Sequence, residues 1–242
     1  MPSFSVKIEV PKSLSAITLR QYQSYVKVLE GVDMKDGLTR EASDFLNLKA
    51  LEVFCGMQMK DTYKMPMDLF DSILAQLSLC FKENTPRVDR LKMTDPSGKA
   101  VEFGLMPNLS KMSLGEYLDL DAYIDDWSKM HKAMAVLYRP IVTDVKGKYL
   151  IEEYQGSDRW ADVMRDAPLN VVLGVKVFFY RLGMKLSQHT MTSILQEATL
   201  EENTDLKQAL EESGVGINQF MGLHKAMSEE LMRLPGFHYT NA

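Results

Sequence analysis

The pattern of hydrophobic and polar positions predicts a mostly helical chain with a few short strands. In several segments apolar residues recur every three or four positions, as on the buried side of an amphipathic helix. The predicted helices cover residues 18–30, 41–55, 66–81, 121–137 and 158–165, and a further brief helix begins at Ser113. Thr18 with Gln21, and Ser113 with Glu116, have capping-box spacing, in which a hydroxyl and a side chain three residues later close the first helical turn.

The clearest helical stripe lies in residues 121–137. Its apolar members follow one another at intervals of four, three, four and three: Tyr123, Trp127, Met130, Met134 and Leu137. That spacing predicts one continuous helix, which ends at Arg139-Pro140 because proline cannot continue it.

Alternating and turn-forming segments predict a small sheet. Apolar and polar residues alternate from Phe4 to Val10, which indicates a half-buried strand ended by Pro11. The turn sequence Asp95-Pro96-Ser97-Gly98 separates residues 88–93 from residues 99–103 and predicts a hairpin. A second turn at residues 145–148 precedes a predicted short strand at residues 149–154.

The last third of the sequence is predicted to be helical. Residues 168–186 fit a buried helix, although their valine and phenylalanine content also suits a strand. Further helices are predicted at residues 187–197, at residues 205–212 and after Gly216. We therefore predict an α+β fold, predominantly α-helical, with a small antiparallel sheet from the N-terminal strand and the central hairpins. Residues 1–200 form the main domain, and residues 201–242 form a C-terminal helical extension that can pack on it.

Composition and charge exclude several classes of protein. Of the 242 residues, 45% are apolar and 25% are charged, and the net charge is -5. A mildly acidic chain lacks the basic surface that nucleic-acid binding requires, and the longest apolar run is too short to span a membrane. Cys55 and Cys80 lie in apolar stretches, as buried thiols of a reducing compartment do. We expect a cytosolic, soluble protein without a disulfide.

The sequence contains no recognisable catalytic, cofactor or metal motif, and we predict a protein that is not an enzyme. An acidic group, Asp119, Asp121, Asp125 and Asp126, lacks the central glycine and final glutamate of a calcium-binding EF-hand loop. The four histidines have no zinc-ligand spacing. His131 is a lone histidine on a helix edge, which is more typical of a packed or solvated side chain than of a general base. An enzyme that uses His131 with nearby carboxylates is the weakest alternative.

Seventeen methionines are the one unusual feature of the composition. Met fills irregular gaps in cores, and it is also common on surfaces that accept varied apolar partners. Packing is the simpler interpretation, and a partner-binding surface is the alternative. For that alternative the candidate residues lie at one turn and in the terminal helix: Met57, Met59, Met65, Met67, Phe220, Met227 and Leu231.

Four stretches of the sequence resemble proteins of tailed bacteriophages that are encoded among virion and tail-assembly genes. They are residues 18–22, 103–121, 130–141 and 170–183. The resemblance covers roughly residues 15–190 and does not include the last 50 residues. It carries no catalytic signature, so it implies no active-site residue.

The closest functional analogue implied by this resemblance is a tail-assembly or baseplate-hub chaperone. Such proteins bind the long helical tape-measure protein and keep it soluble in the host cytoplasm until the tail tube forms. The resemblance therefore implies a non-enzymatic phage morphogenesis protein whose partners are tail or baseplate proteins. The alternative is a permanent virion component, such as a neck, tail-completion or baseplate subunit. The sequence leaves the oligomeric state open.

Overall fold

The structure is a computed structural model and describes residues 8–33 and 38–181. The chain divides into two compact units, Met1–Gly174 and Val175–Ala242. Most of the described residues belong to the first unit, and residues 175–181 of the second unit are helical. The predicted boundary at residue 200 and the helices predicted beyond residue 186 lie outside the described residues.

Helices dominate the first unit, as predicted. In chain order they are α1 (Leu19–Glu30), α2 (Arg40–Cys55), α3 (Met59–Thr62), α4 (Met67–Cys80), α5 (Leu114–Tyr123), α6 (Met130–Leu137), α7 (Asp158–Met164) and α8, which begins at residue 169. Two short 3-10 turns, Leu14–Ala16 and Leu109–Lys111, precede α1 and α5.

Both predicted capping boxes are confirmed. The Thr18 hydroxyl accepts a hydrogen bond from the Gln21 amide, and the Gln21 side chain accepts one from the Thr18 amide. Ser113 and Glu116 are paired in the same way at the start of α5. Each pair satisfies two amide groups that a helix start otherwise leaves without a partner.

Four antiparallel strands form one sheet in the order β1-β2-β3-β4. Their bounds are β1 (Arg90–Thr94), β2 (Ala100–Leu105), β3 (Tyr138–Val145) and β4 (Lys148–Ile151). The first hairpin is confirmed, because Thr94 pairs with Ala100 around the predicted turn. Within that turn the Asp95 carboxylate accepts hydrogen bonds from the amides of Ser97 and Lys99. Gly98 supplies the left-handed conformation, with φ of 86°.

Two aromatic contacts connect these elements into one core. The Phe103 ring of β2 meets the Trp160 ring of α7 edge-on, with 5.2 Å between the ring centroids. The Tyr22 ring of α1 meets the Trp127 ring in the same manner at 4.7 Å. Such edge-to-face pairs contribute about 0.5–1.5 kcal/mol beyond the area that they bury.

The start of α1 lies against the end of α7. The Leu19 amide donates to the Ala167 carbonyl at 2.9 Å, and the Arg20 amide donates to the Arg165 carbonyl at 2.6 Å. The free amides of one helix start thus bind carbonyls at the end of another. The exposed Arg20–Asp166 ion pair, 2.8 Å long, lies at the same junction.

Two sequence predictions about regular elements differ from the structure over the residues that it describes. Residues 8–10 are not a strand, and the carbonyl of the next residue, Pro11, accepts a hydrogen bond from the buried Cys80 thiol of α4. Residues 4–7 lie outside the described residues. Alternation over so few positions does not by itself specify a strand, and residues 8–10 take part in no strand pairing of the described chain.

The predicted helix over residues 121–137 is interrupted between α5 and α6. The Asp126 carboxylate accepts hydrogen bonds from the amide and hydroxyl of Ser128, which closes a turn in place of a helical step. Trp127 therefore points into the core from a turn, while Met130, Met134 and Leu137 remain buried as predicted. The helix ends at Leu137 as predicted, and Arg139-Pro140, which follows it, lies within β3.

Candidate functional site

Large apolar side chains are exposed in four regions of the described chain, and these regions are the candidates for binding a protein partner. The residues are Tyr63, Met67, Leu69 and Leu79 near α4, Leu114, Tyr117 and Leu118 on α5, Val142, Val145 and Leu150 on the β3-β4 hairpin, and Leu38 and Phe45 at the start of α2. A single exposed leucine needs no explanation, but several on one short element mark a surface that another molecule can cover.

The first region includes the predicted methionine turn, which we call the Met57–Met67 segment. Gly56 ends α2 in the left-handed conformation, with φ of 66°. The chain then turns back, and the Met57 amide donates to the Leu51 carbonyl. Met57 is consequently buried. The short helix α3 follows, which the sequence reasoning missed because one helical turn is too short to show a periodic pattern.

Burial differs among the other predicted methionines of this segment. Met59 in α3 and Met65 after it are half-buried. Met67, the first residue of α4, is 69% exposed, and Tyr63 is 72% exposed. The structure thus assigns Met57 to the core and leaves Met67 free to contact a partner. The other three predicted partner-binding residues, Phe220, Met227 and Leu231, lie outside the described residues.

Helix α5 presents apolar side chains outward and a carboxylate inward. Leu114, Tyr117 and Leu118 are exposed, while Glu116 is buried. Sequence reasoning missed this outer face. The available signal was the apolar residues Leu114, Tyr117, Leu118 and Leu120, which lie on both sides of a helix and are more than one core contact requires.

The buried carboxylate of Glu116 forms an ion pair with Arg139 of β3. The Arg139 Nη2 atom lies 2.5 Å from Glu116 Oε1, and both side chains are less than a tenth exposed. Burial of the carboxyl raises the pKa of Glu116, but hydrogen bonds from Ser113 and Arg139 outweigh that effect and lower the pKa overall. The guanidinium also lies 5.4 Å from the ring centroid of Tyr154, whose hydroxyl donates to Asp119. This network fixes α5 to the sheet.

His131 is buried between three helices. Its Nδ1 atom lies 3.0 Å from the side-chain amide nitrogen of Gln23 in α1. Its Nε2 atom lies 3.2 Å from the Nη2 atom of Arg165, the residue directly after α7. The Gln23 nitrogen also donates to the Trp127 carbonyl, so an N–H group faces the imidazole on each side. Burial, together with the positive charges of Arg165 and Lys132, lowers the pKa of His131 to about 4.

This environment gives His131 a packing role. A neutral imidazole can accept a hydrogen bond from one of these two N–H donors, whereas an imidazolium can accept from neither and would place an N–H group against each of them. The ring is only 5% exposed, so it has little contact with solvent from which a substrate could approach. These observations agree with the interpretation of His131 as a packed side chain.

Local contacts account for two members of the acidic group. Asp119 binds Tyr154, and Asp126 forms the turn with Ser128. Cys55 and Cys80 are free thiols, and burial raises the pKa of Cys55 to about 11. In residues 8–33 and 38–181, no group of three or more histidine, cysteine or carboxylate side chains could hold a metal ion. Over the same ranges no helix is long and apolar enough to cross a membrane.

Comparison with known proteins finds no relative of this chain. No family model matches the sequence, no curated protein is significantly similar to it, and no solved structure resembles the fold.

Proposed function

We propose that this protein is a non-enzymatic assembly factor of a tailed bacteriophage, acting as a chaperone for a helical tail or baseplate protein. The observation that carries the proposal is the exposure of Tyr63 and Met67 at the end of the Met57–Met67 segment. An amphipathic helix binds to another protein by placing apolar residues against such side chains. Methionine is suited to that contact because its flexible side chain adapts to differently shaped partners.

The resemblance to tail-assembly proteins supplies the biological context of the proposal. It favours the tape-measure protein as partner, because a tape-measure protein is a long helix that must be kept soluble before the tail tube surrounds it. The host cytoplasm is then the place of action. A permanent subunit of the neck, tail or baseplate is the competing function.

Co-expression of the full chain with the tape-measure protein of the same phage tests the proposal. We expect co-purification and a severalfold gain in the soluble yield of the tape-measure protein. The double variant Tyr63→Glu/Met67→Glu should lose both, because burying two carboxylates in an apolar contact is unfavourable. Val145→Glu is the matched control, since Val145 is 60% exposed and lies on a different element, the β3-β4 hairpin. If the unmodified chain neither co-purifies with nor solubilises the tape-measure protein, the proposal fails.

Mass spectrometry of purified particles separates the two functions. An assembly factor is absent from finished particles or present far below one copy per tail. A stoichiometric amount would assign the chain to the virion and exclude a transient role.

A further inference from the structure

Strand β4 is the last strand of the sheet and has a neighbouring strand on one side only. In the part of the chain that the structure describes, the order β1-β2-β3-β4 pairs β4 with β3 and with no other strand. An edge of this kind presents backbone N–H and C=O groups to which a further strand can bind. Leu150, in the middle of β4, is 64% exposed.

The hydrogen-bonding directions along β4 follow from its pairing with β3. The Glu152 amide, directly after β4, donates to the Pro140 carbonyl at 2.8 Å, so the backbone of Glu152 faces β3. Because these directions alternate along an antiparallel strand, the backbone of Leu150 faces β3 as well. The N–H and C=O groups of Tyr149 and Ile151 therefore point away from β3, toward the free edge.

The side chains on one face of β4 carry opposite charges on the two sides of the exposed leucine. Lys148, Leu150 and Glu152 share this face, because side chains alternate along a strand. Lys148 is exposed and has no ion-pair partner among the described residues. The Glu152 carboxylate binds Arg159 at 2.9 Å and Trp160 at 2.8 Å, which holds it in place and leaves lone pairs for a further donor.

An antiparallel copy of β4 matches the backbone and the charges in one alignment. A twofold axis perpendicular to the sheet at Leu150 places this leucine opposite itself. The same axis places Tyr149 opposite Ile151 of the second copy, so the outward backbone groups meet and each such pair exchanges two hydrogen bonds. It also places Lys148 opposite Glu152 of the second copy, and opposite charges across a strand pair are stabilising.

The other edge of the sheet lacks this complementarity. Strand β1 carries Arg90 and Lys92 on one face, since they are two positions apart. Antiparallel pairing of two copies about the middle of β1 would bring positive charges together, which is destabilising. Of the two edges, β4 is therefore the one that fits a second copy.

We propose that β4 is a homodimer contact, in which it pairs antiparallel with β4 of a second copy of this chain and joins the two sheets. The contact lies on a different element from Tyr63 and Met67 and does not rest on the chaperone function. A strand of this length covers much less than the roughly 800 Å² per partner of a stable interface. The dimer is therefore reversible and forms at micromolar or higher concentrations.

Sedimentation equilibrium of the purified full chain, over about 10 µM to 1 mM, tests dimerisation. We expect the average mass to rise from monomer toward dimer. Leu150→Glu should weaken the dimer at least tenfold, because it places two carboxylates directly opposite each other at the axis. Leu118→Glu is the matched control, since Leu118 is 56% exposed on α5, and it should leave the dissociation constant unchanged.

Charge substitution tests the alignment. Lys148→Glu should raise the dissociation constant severalfold at low salt, since it replaces two attractions with two repulsions. Lys148→Arg keeps the charge and should leave the constant unchanged. A chain that stays monomeric over the whole range overturns the proposal, as does a Leu150→Glu variant that dimerises as well as Leu118→Glu.

Hydrogen exchange of the unmodified chain tests which backbone groups meet. The amides of Tyr149 and Ile151 should exchange rapidly in dilute protein and slow as the concentration rises. The Leu150 and Glu152 amides, which face β3, should exchange slowly at every concentration. If the Tyr149 and Ile151 amides are already protected in the dilute monomer, another part of the chain covers this edge and the proposal is overturned. These experiments use the purified chain alone, so their outcome is independent of tape-measure binding.

Discussion

His131 shows how a single residue acquires properties that its sequence position does not reveal. The sequence places it on the edge of a helix, and a lone histidine there is predicted to be packed or solvated. Its partners lie far away in the chain: Gln23 precedes it by 108 residues, and Arg165 follows it by 34. The packed interpretation could be reached from the sequence, but the low pKa depends on neighbours that only the fold brings together.

The low pKa of His131 makes the free energy of unfolding depend on pH. The pKa of His131 is about 4 in the folded chain and near 6.5 when unfolded, so between these values the unfolded chain binds the additional proton. Stability is therefore complete above pH 6.5 and falls as the pH decreases toward 4. We expect urea denaturation to show a loss of about 2 kcal/mol between pH 7.5 and pH 5.

His131→Gln is the control for this loss, because glutamine occupies a similar volume and does not titrate in this range. The variant is less stable at pH 7.5, but its free energy of unfolding should change much less between pH 7.5 and pH 5. The carboxyl groups with lowered pKa values, among them Glu116 and Asp126, contribute mainly below about pH 4.5. Equal pH dependence in the two proteins would contradict the assignment to His131.

At the scale of elements, local signals were reliable where a few adjacent residues determine the structure. The two capping boxes, the first hairpin turn and the glycine ends of α1 and α2 could all be predicted from the sequence. The interruption before α6 could not be predicted from apolar spacing, because Trp127 is buried whether it lies in a helix or in a turn. The signal for this interruption lies in two polar residues, because Asp126 and Ser128 form a turn that competes with the helix.

The Glu116 and Arg139 side chains, which form the ion pair between α5 and β3, should have strongly coupled effects on stability. Arg139→Met leaves the buried Glu116 carboxylate without a counter-charge and should cost about 3–5 kcal/mol of stability. Glu116→Gln keeps the helix cap but leaves a buried guanidinium, so it should also destabilise the protein. The double variant carries neither charge and should be more stable than Arg139→Met alone. Urea denaturation of the unmodified chain, the two single variants and the double variant measures the coupling. If the changes in the free energy of unfolding were additive, the two residues would not act as a unit.

Gly174 in α8 marks a close approach between a helix and a loop. A Cβ atom at this position would lie 2.5 Å from the Pro86 carbonyl oxygen, which is backbone and cannot rotate away. Gly174→Ala should therefore destabilise the protein by about 1–3 kcal/mol, although alanine favours a helix. Gly115→Ala, in the open first turn of α5, is the matched helical control and should be neutral or slightly stabilising. Urea midpoints measured in dilute protein compare the two variants, and equal values would contradict the close approach.

At the scale of the whole molecule, the class of fold was predictable and the arrangement of its elements was not. Helical periodicity and one turn sequence were sufficient to predict a helix-rich α+β protein with a small antiparallel sheet. The predicted N-terminal strand does not include residues 8–10, which take part in no strand pairing of the described chain. Of the exposed apolar surfaces, the sequence predicted the Met57–Met67 segment as a candidate for partner binding. It did not predict the outer face of α5, because the leucines of α5 also fit a core.

The junction of α1 with the end of α7 has a consequence for the time course of synthesis. Thr18 pairs with Pro168, about 150 residues later in the chain. At roughly 5–20 residues per second, the ribosome needs roughly 8–30 s to supply that partner after α1 has been made. Throughout this interval Leu19 and Tyr22, both buried in the finished fold, lack their final surroundings. Aggregation thus has longer to compete with folding when the segment between α1 and Pro168 is translated more slowly.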